Sequence, residues 1–164
     1  RTTIDMDSGF VPGLVNMGVV YELMEDTDNA RKYYLRAIET NSDYAMAHYR
    51  LASLYHDDGE IEPARKELEL AIMADPDFAP AYNDLALINL EKANFTRALK
   101  NLKSAVRIDS SYAAAYYNLS GIYTNMGQYN EAALALENYL KYSDSPEEQE
   151  KVQARIKILQ SVDE

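Results

Sequence analysis

Two histidines and several close carboxylates are the side chains of this chain best suited to acid–base or metal chemistry. His48 and His56 lie eight residues apart, His56 is followed by Asp57 and Asp58, and Glu60/Glu62 and Glu67/Glu69 are each spaced by two. A metal ion needs three or four converging donors, and His56-Asp57-Asp58 has no second ligand cluster to complete a set. General acid–base work needs a nucleophile or base within hydrogen-bond reach, and none stands beside the glutamate pairs in the sequence. With no cysteine, thiolate chemistry and disulfides are both ruled out. The six glycines include no phosphate-cradling loop. Asn94-Phe95-Thr96 and Asn118-Leu119-Ser120 fit the glycosylation pattern, which is frequent by chance and carries no weight. No catalytic residue, metal ligand or cofactor is expected, and the reading is of a protein that is not an enzyme.

The spacing that carries information is longer. Four phrases recur every 34 residues: Asp7-Ser8-Gly9-Phe10, Asn41-Ser42-Asp43-Tyr44, Asp75-Pro76-Asp77-Phe78 and Asp109-Ser110-Ser111-Tyr112. Each is a polar turn ending in an aromatic, and each introduces a new apolar-periodic segment. Frames set at Val11, Ala45, Ala79 and Ala113 align further columns. Leu14, His48, Tyr82 and Tyr116 form a large column, which places His48 on the core side, and Met17, Leu51, Leu85 and Leu119 form another. Gly18, Ala52, Ala86 and Ser120 form a small one; Tyr21, Tyr55, Asn89 and Tyr123 follow. The second half of each frame carries Ala30, Ala64, Ala98 and Ala132, then Tyr34, Leu68, Leu102 and Leu136, then Ala37, Ala71, Ala105 and, out of pattern, Tyr139.

Apolar positions at three- and four-residue spacing make each half-frame an amphipathic helix. The pattern predicts antiparallel pairs over 12–24/27–40, 45–57/61–74, 79–91/95–108 and 113–126/129–142, with Gly59 and Gly127 in the reversals of the second and fourth pairs. These columns resemble the tetratricopeptide repeat, a 34-residue helix-turn-helix unit with an aromatic, a Leu-Gly-like pair, a Tyr, an Ala, an aromatic and a late Pro. The resemblance runs from Val11 to Pro146 without a one-residue slip, about four-fifths of the chain. It implies an all-α, right-handed solenoid of four helix pairs at 11–44, 45–78, 79–112 and 113–146. Residues 1–10 then align with the tail of a preceding repeat or a linker, as expected of an excised fragment.

The resemblance also implies a function, a protein-interaction module or scaffold whose first helices line a concave groove for a partner peptide or helix. Mapped through the frame, the groove positions hold Val15, Asn16 and Val19; Tyr49, Arg50 and Ser53; Asn83, Asp84 and Leu87; Tyr117, Asn118 and Gly121. Glu22, His56, Leu90 and Thr124 map deeper along that face. Family members that clamp a C-terminal carboxylate use two Lys, two Asn and an Arg. The matching places here hold Val15, Val19, Arg50, Pro80 and Asp84, or one unit on Tyr49, Ser53, Asp84, Ala114 and Asn118, without the lysines. Members that bind peptide backbone use one asparagine per unit; Asn16 and Asn118 match that column, whereas Arg50 and Asp84 break it. The remaining groove suits a peptide or helix recognised by tyrosine and amide groups. Tyr49 and Tyr117 have a second reading, as packing groups between adjacent first helices. Two other functions fit the same residues: repeats that self-assemble, and the non-catalytic, substrate-recruiting arm of a larger enzyme.

The net charge of −11 argues against nucleic acid, whose phosphates require Lys and Arg. The charge is uneven: the frame from Ala45 has eight acids against three bases, and the frame from Ala79 three against five. Lys92, Arg97, Lys100, Lys103 and Arg107 form a basic stretch, mostly on a helix that the family places on the outer, convex side, where a solvated face is the ordinary reading. No apolar run approaches a membrane span, and no signal peptide is visible. Absence of cysteine fits a reducing cytoplasm, with a periplasm as the alternative.

Ser145-Pro146-Glu147-Glu148 reads as a helix start, with Ser capping, Pro at the first helical position and Glu at the third to complete a capping box. Val152, Ile156 and Leu159 then share one face, as a terminal helix over 147–164 covering the fourth pair would require. A partner-binding helix is the competing reading. That helix also accounts for Tyr139, whose neighbour is no longer another repeat. The N-terminal side has no matching cap, and an open apolar end there would favour self-association.

Overall fold

The repeated turn phrases share one local bond. In the computed structural model, which describes residues 10–143 and 146–162, the side chains of Asn41, Asp75 and Asp109 each accept from the backbone N–H two residues on, at 2.9, 3.0 and 2.9 Å. This Asx turn reverses the chain and frees it to start the next helix. Ser111 adds a hydroxyl bond to Asp109, and the two bonds hold the Asp109 carboxyl below its ordinary pKa.

Among the described residues the chain is helical throughout, as α1 (Val11–Leu23), α2 (Thr27–Thr40), α3 (Ala45–Asp57), α4 (Ile61–Ala74), α5 (Ala79–Glu91), α6 (Phe95–Ile108), α7 (Ala113–Asn125), α8 (Tyr129–Tyr142) and α9 (Pro146–Val162). The expected bounds coincide for α2 to α6 and for α8. The first helix begins and ends one residue earlier than its pattern suggests, and α7 ends one residue earlier. The fold class among the described residues is all-α, as the repeat pattern requires.

The turn inside each pair also repeats. The N–H groups of Asp26, Glu60, Asn94 and Gln128 reach back five residues to the carbonyls of Tyr21, Tyr55, Asn89 and Tyr123. That six-residue closure requires a left-handed residue just before it. Gly59 (φ 76°) and Gly127 (φ 72°) supply it where glycine is expected. Glu25 (φ 59°) and Ala93 (φ 53°) occupy the same place with side chains that disfavour it. Asp26 and Asn94 then cap α2 and α6, accepting from Asn29 N at 3.1 Å and Arg97 N at 3.3 Å.

The chain divides into two compact units, Arg1–Ala81 and Tyr82–Glu164. In the first, α1 packs on α2, α2 on α3 and α3 on α4, around Leu14, Val15, Ala30, Tyr34, Ala37, Ala47, Leu51 and Leu54. The small column has a specific purpose here. A Cβ on Gly18 would stand 2.7 Å from Cδ1 and Cζ of Tyr34, and closer still to Cε1, so the ring occupies space that a side chain would take. Tyr34 is wholly buried. Its hydroxyl has no fully formed hydrogen bond among the described residues, with Glu22 the carboxylate placed to accept one. Burial first, then Glu22, push this phenol far above its ordinary pKa. Elsewhere the column is Ala52, Ala86 and Ser120, and the large partner column is leucine.

In the second unit α6 packs on α7, α7 on α8 and α8 on α9. Val152, Ile156 and Leu159 of α9 are buried with Ala132, Ala133, Leu136 and Tyr139, so the terminal helix covers α8 as expected. Tyr139 donates its hydroxyl to Glu148, the bond that most raises its pKa. Glu148, the third helical residue, thus meets Tyr139. The capping role expected of Ser145 lies outside the described residues, as does the turn at Asp7–Gly9. No helix is long and apolar enough to cross a membrane among the described residues.

Candidate functional site

His48 shows first what the fold does with the chain's most reactive-looking group. Its ring is 4% exposed, Nδ1 lies 2.7 Å from Glu67 Oε2, and Nε2 lies 2.9 Å from the Ser42 carbonyl. Both partners are acceptors, so the doubly protonated ring satisfies both at once. The Glu67 bond outweighs burial and raises the His48 pKa, helped by the Ser42 carbonyl and by Asp43. The imidazole therefore ties α3 to α4 and to the preceding turn. Among the described residues no cluster of His, Asp or Glu is arranged to hold a metal ion.

The groove positions of the first unit come from α1 and α3. Asn16 is exposed, Val19 and Ser53 are half-buried, and Val15 is buried in the core. Tyr49 meets the Phe78 ring edge-on at 5.2 Å between centroids, an arrangement favoured by the ring quadrupoles. Phe78 ends a repeated turn, so the aromatic of that phrase stands as a wall beside Tyr49. Arg50 Nη1 lies 3.8 Å from Glu22 Oε2, while its Nε is buried and without a partner among the described residues. Glu22 thus faces Arg50 and is also the carboxylate that acts on the buried Tyr34 hydroxyl.

In the second unit α5 and α7 contribute a row of amides. Asn118 Nδ2 donates to Asn83 Oδ1 at 2.9 Å, and Asn83 Nδ2 donates to Asp84 Oδ1 at 3.0 Å. Asn83 is only 4% exposed, which departs from its expected place as an open groove residue. Its amide is spent on Asn118 and Asp84, because a buried amide must find partners. Asp84 also acts on Tyr112, whose pKa is raised mainly by burial. Leu87 and Asn118 are half-buried. Tyr117 is 45% exposed and leans on Tyr139 at 5.3 Å. That contact connects a groove residue to α8 and, through the Tyr139 hydroxyl, to α9. Thr124 turns its hydroxyl to the Ser120 carbonyl at 2.7 Å.

Two polar layers thus emerge, one per unit: Glu22–Arg50 with Tyr49, and Asp84–Asn83–Asn118 with Tyr117. Sequence columns found the members; the pairings, the wall at Phe78 and the support from Tyr139 came only with the fold. The turn aromatic at Phe78 was visible as a repeated residue, but nothing in the period shows which side chain it meets.

The tetratricopeptide repeat family model matches residues 23–87 and 89–156. No curated protein sequence matches the chain. Among solved structures, MamA superposes with a TM-score of 0.74 at 22% identity, over 92% of this chain and 81% of that one. YrrB, described as a TPR protein with an unusual peptide-binding site, gives 0.74 at 16% identity over 96% and 79%. The Pseudomonas aeruginosa protein pilF gives 0.78 at 21% identity over 93% and 68%. At these identities the likeness is one of fold.

Proposed function

Because the chain belongs to the tetratricopeptide repeat family, whose members serve in general as protein-interaction modules, we propose that it binds a peptide or helix of a partner protein. The bound segment lies along first helices, α1 and α3 in the first unit or α5 and α7 in the second. The observation that carries the reading is the exposed Tyr117, braced by Tyr139 and flanked by the Asn118–Asn83–Asp84 row. A braced aromatic offers contact area at little entropic cost, and a held amide can meet peptide N–H and C=O groups. In this reading the first unit offers Asn16, Val19, Tyr49, Arg50 and Ser53 to a partner, and the second offers Leu87, Tyr117 and Asn118, with Asn83 and Asp84 holding Asn118 in place. YrrB, with its unusual peptide-binding site, is a precedent for peptide recognition on this fold. No cofactor takes part, and the protein performs no chemistry of its own.

The test is capture of partners from the source organism's extract by wild type and by Tyr49→Ala/Tyr117→Ala, then affinity measurement on whatever is lost. Loss of ~1–3 kcal/mol in binding, with an unchanged helical spectrum, is the expected cost of removing two interface anchors. An identical captured set refutes the groove.

A second reading, self-association through the N-terminal end, is favoured by one column. Val20 is 46% exposed, whereas its counterparts Leu54, Ile88 and Ile122 are 5%, 1% and 1% exposed. Phe10, Leu23 and Met24 are also exposed. Sedimentation of wild type and Val20→Lys separates the two readings: a concentration-dependent mass that Val20→Lys abolishes supports assembly. A third, the substrate-recruiting arm of an enzyme, is settled by the sequence of the full-length protein.

A further inference from the structure

The helix α6 differs from the others in its charge. It carries Arg97, Lys100, Lys103 and Arg107 and no acidic residue. All four are exposed, and among the described residues none has a carboxylate partner. On α4, by contrast, Arg65 is held between Glu62 and Glu69, and on α2 Arg31 reaches Asp58 and Glu60. Lys103 stands 5.8 Å from the centre of the Tyr123 ring.

Residues 100, 103 and 107 recur at three and four, which puts them on one face, turned away from buried Ala98, Leu102 and Ala105. From Arg97 to Arg107 the stripe is ~15 Å long at the helical rise per residue. A shallow depression of about 410 Å³ follows it, with half-buried Leu99 as its apolar floor and the Thr96 and Ser104 hydroxyls at its side. Like charges at these spacings cost a few tenths of a kcal/mol each in an isolated helix. The remedies found for Arg65 and Arg31, carboxylates on the same helix or from a neighbouring turn, are missing among the described residues.

We infer that this face of α6 docks an acidic helical segment of a partner protein, with glutamates repeating at three and four to meet Lys100, Lys103 and Arg107. The apolar floor at Leu99 takes the aliphatic stems of that segment. Four cations on one helix, without a carboxylate partner among the described residues, set up a local positive potential, which is complementary to the carboxylates of a small acidic element. The inference goes beyond the groove reading and shares no residue with it.

The experiment uses the chain as it stands and a labelled alanine-based helical peptide carrying Glu at three- and four-residue spacing, with its Gln counterpart as control. Fluorescence anisotropy at about 50 and about 300 mM salt reads the electrostatic part. The expected result is saturable binding of the Glu peptide only, weakened by salt, and at least ~10-fold weaker for Lys100→Glu/Lys103→Glu/Arg107→Glu. Lys100→Gln/Arg107→Gln, which keeps the Lys103–Tyr123 contact, is expected to fall between. Tyr49→Ala/Tyr117→Ala should bind the peptide as wild type does, so loss of the groove leaves this result intact. No binding of the Glu peptide at low salt, or equal binding by the reversed variant, overturns the inference. Binding of single-stranded DNA or phosphatidylserine vesicles without the peptide also overturns it. So does a salt-sensitive dimer of the free chain that the reversed variant loses, which would make a second copy the occupant.

Discussion

Adding one methyl group at Gly18 should reveal how the first pair is packed. In an ordinary helix interior Gly→Ala gains ~1 kcal/mol of propensity. Here the new Cβ would lie 2.7 Å or less from three ring atoms of Tyr34, a side chain with no exposed surface and no free direction in which to move. Overpacking of that kind costs ~1–3 kcal/mol. The clash is at the severe end of the range, so Gly18→Ala should be destabilised by ~1–2 kcal/mol net of propensity. Tyr34→Leu alone leaves a void beside Gly18 but removes a buried hydroxyl without a full partner, for a loss of ~1–2 kcal/mol. Together the two changes recreate the pairs Ala52/Leu68 and Ala86/Leu102 found in the next two repeats. The double variant should therefore be more stable than the sum of the single losses by ~1–2 kcal/mol, the coupling of residues in contact. Urea unfolding followed by far-ultraviolet circular dichroism, with thermal melts in parallel, measures all four corners of the cycle. A Gly18→Ala protein as stable as wild type, or strictly additive losses, would refute the steric account.

The left-handed turn positions make an opposed set. Glu25→Gly and Ala93→Gly should each gain ~0.5–1 kcal/mol, while Gly59→Ala should lose ~1 kcal/mol by backbone conformation alone. No atom lies within 4 Å of where a Cβ at Gly59 would go, so any loss there in a urea melt is not a packing effect. His48 should make stability depend on pH. Its folded pKa is raised above the unfolded value, so its contribution is complete below ~6.5 and disappears as pH climbs through the folded pKa. Urea midpoints compared between acidic and alkaline buffers should fall with rising pH in wild type, and flatten in His48→Tyr, which carries the residue of Tyr82 and Tyr116.

What could be read from the residues follows from what a period records. The columns Ala30/Ala64/Ala98/Ala132 and Tyr34/Leu68/Leu102/Leu136 repeat because every pair has the same buried interface, so helix bounds and core emerge together. The bounds of α1 and α7 shifted by one residue because Met24 and Met126, though apolar, belong to the turns that follow. Glu25 and Ala93 were hidden because left-handed backbone is legible only where glycine marks it. Asn83 looked like a surface residue because its type is polar, and its burial depends on Asn118, 35 residues away. The lean of Tyr117 on Tyr139 was hidden for the same reason: it joins α7 to α8 through residues that the repeat frame treats as unrelated. A 34-residue comparison detects which positions are alike, and pair-specific contacts are what distinguishes one repeat from the next.

Within each unit the helices touch mainly those adjacent in the chain, α1 with α2, α2 with α3 and α3 with α4, then α6 with α7, α7 with α8 and α8 with α9. No helix in these sets waits for a remote segment before it can bury its apolar face. During synthesis, each helix of these sets can therefore consolidate on the one made just before it. Vectorial growth of this kind keeps the apolar surface exposed within a unit to about one helix face at any moment, and α9 covers the face that α8 leaves.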